Sequence, residues 1–113
     1  MKALFDSVSA GCSKLVTNQY STSFSLATKM LAGSIRQDIY NIYGFVRFAD
    51  EIVDSFHEYD KKDLLDRFEA DLEHALTNHI SLNPILNAFQ ETYHRYAIPH
   101  HLVASFLKSM PMD

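Results

Sequence analysis

The sequence predicts an all-α bundle, and three observations predict it. Apolar residues recur at three- and four-residue spacing along nearly the whole chain. No alternating run flanked by hairpin turn residues appears, so strands are not expected. The periodic segments are joined by short connections, which place consecutive helices side by side. At 113 residues the chain is one domain or less.

Each element has its own signal. Residues 2–17 carry Leu4, Phe5, Val8, Cys12, Leu15 and Val16 at helical spacing. A short helix is expected over 21–30, starting near Ser21 or Ser23 and ending before Gly33. Ser34 is a candidate cap for a long helix over 35–56, since its hydroxyl can accept from an unpaired amide of the first turn. Asp60 plays the same part for 61–78, whose inner stripe is Leu64, Leu65, Phe68, Leu72, Ala75 and Leu76. Asn83 and Pro84 mark the next start, because proline suits the first helical position, and that helix runs to about Tyr96. Pro99 opens a last helix through His101, Leu102, Phe106 and Leu107.

Composition narrows the function classes. The chain is 47% hydrophobic and 21% charged, which suits a packed globular core and excludes disorder. Net charge is −4 with no Lys/Arg cluster, so no nucleic-acid partner is expected. A single cysteine, Cys12, rules out an internal disulfide framework and fits a reducing compartment. No run approaches a membrane span, and the early Asp6 argues against a signal peptide. A cytoplasmic protein is expected, with peripheral membrane contact left open. Three glycines, none in a phosphate-loop pattern, leave nucleotide binding unsupported.

The most informative feature is a polar stripe within residues 34–56. At about 100° per residue, Tyr43, Arg47, Asp50 and Asp54 fall within roughly 60° of one another on a helix. Ile39, Ile42, Phe45, Val46, Ala49, Ile52, Val53 and Phe56 cover a broad arc of the rest. A helix that apolar is expected to be buried. Two carboxylates one turn apart in such a helix are costly unless a positive charge meets them. Arg47, a divalent cation, or both can supply it. Mg²⁺ prefers oxygen ligands and is held by one or two carboxylates plus substrate phosphates, which suits Asp50 and Asp54 with Glu51 flanking. Arg47 can take a phosphate oxygen with its fork of donors, and Tyr43 offers an aromatic face to a cation. The plainer reading is an i, i+3, i+7 charge pattern on a solvated face, worth little energy. Spacing alone favours that plainer reading; the apolar surround weighs against it.

Residues 20–54 resemble the N-terminal part of the squalene and phytoene synthase family. Ser23 and Phe24 match the family's S-F dipeptide, Tyr43 its tyrosine, Arg47 its arginine, and Asp50, Glu51 and Asp54 its first aspartate-rich motif, all at the family's spacing. Met110, Met112 and Asp113 resemble a family M-x-M-D element, which would bring Asp113 near the site. Tyr20 departs from the pattern, standing where many members carry histidine or another polar group. The resemblance implies a helical bundle of the isoprenoid synthase type. The family's second aspartate-rich motif lies downstream of this stretch, so residues 1–113 are expected to be a truncated, single partial domain that lacks the complete reaction alone.

The implied activity is head-to-head prenyl transfer between two isoprenoid diphosphates, C15 or C20, a step of isoprenoid and carotenoid biosynthesis. By the same resemblance Asp50, Glu51 and Asp54 hold Mg²⁺ and Arg47 binds diphosphate. Tyr43 and Phe24 lie near the reacting cation, and Ser21 and Ser23 donate to phosphate oxygens, although helix capping accounts for these serines equally well. Product type and any need for NADPH are decided by residues outside this stretch.

Two other readings compete. Glu91 with His94, Asp54 with His57 and Asp71 with His74 have the i, i+3 spacing of carboxylate-bridged di-metal bundles. Alternatively the chain is a catalytically inactive helical interaction domain or remnant. It would then self-associate through exposed apolar faces, with its histidines solvated and its aromatics serving as core.

Overall fold

The computed structural model describes residues 1–21 and 33–110. Within them lie five helices and no strand: α1 (Lys2–Tyr20), α2 (Gly33–Asp54), α3 (Lys61–Asn78), α4 (Pro84–Arg95) and α5 (His100–Lys108). The all-α expectation holds. The short helix expected over 21–30 falls outside the described residues beyond Ser21, as do Ser23, Phe24, Met112 and Asp113.

Local chemistry sets most boundaries. Asp60 accepts from the Asp63 amide at 3.1 Å and starts α3. Asn83 accepts from the Ile85 and Leu86 amides at 3.0 and 3.3 Å, with Pro84 first in α4. α3 ends at His79, whose φ of 61° is left-handed, a helix-ending conformation more often taken by glycine. α1 runs three residues past its expected end, to Tyr20, where the backbone N–H of extended Ser21 closes it by donating to the Thr17 carbonyl. Ser34 is not a boundary cap, because the helix already includes Gly33. At the other end of α2, the Lys61 ammonium takes the Val53 carbonyl.

α2 is the central element, in contact with α1, α3 and α4. Its buried Phe45 stacks on Phe89 of α4, ring centroids 4.1 Å apart, and meets Phe68 of α3 at 5.8 Å. Ala49 and Ile52 of α2, Leu65, Leu72, Ala75 and Leu76 of α3, Ile85 and Leu86 of α4 and Val103 of α5 complete the core. The inner stripe expected for 61–78 is the observed one, with Leu64 at its margin.

α1 is turned differently from its hydrophobic pattern. Its fully buried residues are Ser9, Ser13 and Thr17, while Leu4, Val8 and Leu15 are more than half exposed. Phe5, Cys12 and Val16 are half-buried at the margin. Small side chains let α1 approach α2 closely at Gly44, and hydrogen bonds offset the burial of Ser9 and Thr17, whereas the Ser13 hydroxyl has no hydrogen-bond partner among the described residues. Thr17 Oγ1 donates to the Ser13 carbonyl, and Asn87 Nδ2 of α4 donates to Ser9 Oγ and, at 2.8 Å, to Asp6.

A second polar set ties α2 to α4. Buried Asp38 accepts from Thr92 Oγ1 at 2.8 Å, the Tyr96 hydroxyl at 2.9 Å and Arg95. Asn41 Nδ2 donates to Thr92 Oγ1, and Gln37 Nε2 bridges Asn41 to the Ala10 carbonyl of α1. Among the described residues no helix is long and apolar enough to cross a membrane.

Candidate functional site

The polar stripe lies on the C-terminal half of α2, at the edge of the packed core. The apolar arc faces inward through Phe45, Ala49, Ile52 and Val53, whereas Ile42 is exposed. Tyr43, Arg47 and Asp50 are half-buried and Asp54 is exposed. The expected burial of the whole helix is therefore corrected: one side of it meets solvent. Periodicity misses this because the stripe's neighbours are apolar for the sake of a cleft as well as of the core.

Arg47 does not pair with Asp50 or Asp54. Its Nη2 donates to Glu51 at 2.6 Å, with both side chains about a quarter exposed. Its Nε is buried and has no hydrogen-bond partner among the described residues. Across the guanidinium lies the Tyr20 ring, 4.8 Å from the guanidinium carbon to the ring centroid, a cation–π contact from the end of α1. Hydrogen bonds from Ser55 and Arg47 hold the Glu51 carboxyl below its usual range.

Asp50 behaves in the opposite way. Burial raises its pKa, and the charge of Asp54 one turn on raises it further, against a smaller pull from Arg47. Two carboxylates that repel across one turn offer hard oxygen donors of the kind Mg²⁺ fits. Among the described residues no three His, Cys, Asp or Glu side chains converge on one point. Glu51 in particular is turned to Arg47 and away from Asp50 and Asp54.

Val16, Tyr20, Arg47, Phe48, Glu51 and Phe56 line a cleft of about 170 Å³ between α1 and α2. Its exposed lining is almost wholly hydrocarbon, and the Arg47–Glu51 pair adds little polar surface to it. Sequence reasoning names Arg47 and Glu51 but misses Val16, Tyr20, Phe48 and Phe56 as lining residues. Tyr20 carries the available signal, an aromatic at a helix end beside Ser21. Ser21 itself is half-buried where α1 stops. Ser23 and Phe24 lie outside the described residues.

The carboxylate–histidine pairs do not form a di-metal centre among the described residues. The His94 ring nitrogens are taken up at 2.9 Å by the Leu76 carbonyl and by Gln90, and its ring stacks on His79 at 3.7 Å. Asp54, His57, Asp71 and His74 are all exposed. Spacing along one helix places these residues on a face but cannot bring two faces together.

No curated protein and no solved structure matches the chain significantly. The family model described as squalene/phytoene synthase does match, from residue 17, near the end of α1, to residue 113. That span takes in Tyr20, Ser21 and the whole of the stripe and covers most of the sequence, so the chain belongs to the squalene/phytoene synthase family.

Proposed function

We propose that the cleft between α1 and α2 binds an isoprenoid diphosphate, C15 or C20, and that the chain serves head-to-head prenyl transfer. The observation that carries this reading is one cleft in which Arg47 faces the hydrocarbon of Val16, Phe48 and Phe56. Arg47 would take oxygens of the diphosphate head with its planar fork. Asp50 and Asp54 would hold Mg²⁺, with Glu51 beside them. The bound ion would neutralise negative charge on the departing diphosphate. Tyr43, half-buried on the same face, would present its ring toward the positive charge that develops on the prenyl chain. Val16, Phe48 and Phe56 would keep water from that chain.

The test is binding of a non-hydrolysable prenyl diphosphate analogue with and without Mg²⁺. Asp50→Asn together with Asp54→Asn should abolish the Mg²⁺-dependent part while helicity stays intact. Binding that survives the double change overturns the metal assignment.

One observation favours a second reading, a helical interaction module that self-associates. Leu4, Val8 and Leu15 form an exposed apolar row along α1. A chain that dimerises in sedimentation runs and takes no diphosphate analogue would favour it.

A further inference from the structure

Arg47 reaches the cleft already partnered. Its Nη2 donates to Glu51 at 2.6 Å, and both residues line the cleft. An incoming diphosphate oxygen needs the same charge-assisted donors that the Glu51 carboxylate occupies. On the same stretch of α2, Asp50 and Asp54 repel one another, a repulsion that a divalent cation would relieve. Asp54 lies three residues beyond Glu51, one turn along α2, so a change of the Glu51 rotamer can swing its charge from Arg47 toward that aspartate.

We propose that Glu51 is a placeholder for the substrate's anionic head: it neutralises Arg47 until substrate enters, then leaves for the divalent cation. Cation and anion then bind as a coupled pair. Without a cation, the anion must displace Glu51 from Arg47 and strip a half-buried carboxylate of its ion pair, leaving it to hydrogen bonds such as that from Ser55. With one, Glu51 has somewhere to go. Tyr20 is the positioning residue of this exchange. Its ring lies over the guanidinium and keeps Arg47 at the cleft while the carboxylate departs. This inference rests on the diphosphate reading above and adds to it the order in which charges are exchanged.

The experiment is calorimetric titration of inorganic pyrophosphate into the chain, with and without Mg²⁺. The wild type should bind at least tenfold more tightly with Mg²⁺, within the usual range of site-to-site coupling. Glu51→Gln should tighten Mg²⁺-free binding by about fivefold or more, shrinking that ratio; Glu51→Ala should do the same. In the Glu51→Gln background, Tyr20→Leu should weaken binding several-fold and Tyr20→Phe should restore it. Far-UV circular dichroism confirms that each variant is folded. If the wild type takes no pyrophosphate even with Mg²⁺, the diphosphate reading falls and this inference with it. If the wild type binds but neither Glu51 variant binds more tightly without Mg²⁺, only the placeholder is overturned. If Tyr20→Leu binds as Tyr20→Phe does, the positioning role is overturned.

Discussion

Gly44 of α2 lies so close to Ser13 of α1 that a Cβ added there would stand 3.1 Å from the serine Oγ and 3.3 Å from its Cα. The contact explains why α1 turns its serines inward and its leucines outward. Gly44→Ala gains about 1 kcal/mol of helix propensity at an interior position. Against that, the backbone of α1 must retreat, and overpacking of this kind costs about 1–3 kcal/mol. We expect a net loss of about 1 kcal/mol, read as a lower urea midpoint. A variant more stable than the wild type would show that α1 can slide freely on α2.

Asp38 and Arg95 form an ion pair with very unequal ends. The Asp38 side chain is 5% exposed and that of Arg95 is 55% exposed. Removing Arg95 leaves Asp38 still bonded to Thr92 and Tyr96. Removing Asp38 strands a buried threonine hydroxyl network and an unpaired cation. Arg95→Ala should therefore cost about 1 kcal/mol or less, and Asp38→Ala about 3 kcal/mol. Chemical denaturation of both variants checks the order, and equal losses would contradict it.

The elements with a full set of local signals are legible in the sequence alone. Asp60, Asn83 and Pro84 sit where capping chemistry requires, and the Leu65, Phe68, Leu72 and Ala75 stripe is buried as its spacing predicts. Periodicity misleads in α1 because it finds an apolar face but not which face a neighbour can approach. Gly44 on another helix decides that. The same limit applies at the site. Spacing places Tyr43, Arg47, Asp50 and Asp54 on one side of α2, but rotamers decide that Arg47 takes Glu51. The contribution of Tyr20 comes from a different helix. The Asp38 network has no periodic signature of its own, because its partners Thr92, Arg95 and Tyr96 are distant in sequence. Its one trace is that Asp38 and Asn41 stand among apolar residues of a core helix, a pattern that demands buried partners.

Glu91 offers a test by pH. Burial raises its pKa above 4.5, and the charge of Asp6 across the α1–α4 contact raises it further, with Arg95 and Lys2 pulling the other way. A carboxyl whose folded pKa is raised favours the fold while protonated, and that contribution is lost as pH climbs through the folded value. Glu91→Gln should thus stabilise the chain near pH 7, by less than about 1 kcal/mol given its contact with solvent. The gain should vanish near pH 4, where the wild-type side chain is itself neutral. Urea midpoints at the two pH values decide, and an offset independent of pH would rule out this cause.

Asp50 sets stability against function. Its ionised carboxylate is half-buried, meets the like charge of Asp54 one turn away, and gains only partial relief from Arg47. Asp50→Asn removes the repulsion and keeps the shape, so the fold should gain up to about 1 kcal/mol near neutral pH. If the pair holds Mg²⁺, adding the ion should raise the melting temperature of the wild type by mass action and leave Asp50→Asn unmoved. The two readouts separate the causes. A variant that is less stable than the wild type would mean that Asp50 already has a partner that compensates its charge. A variant that is more stable but still shifts with Mg²⁺ would move the cation site away from Asp50. A variant that is both more stable and indifferent to Mg²⁺ is what a site kept at a cost to the fold requires.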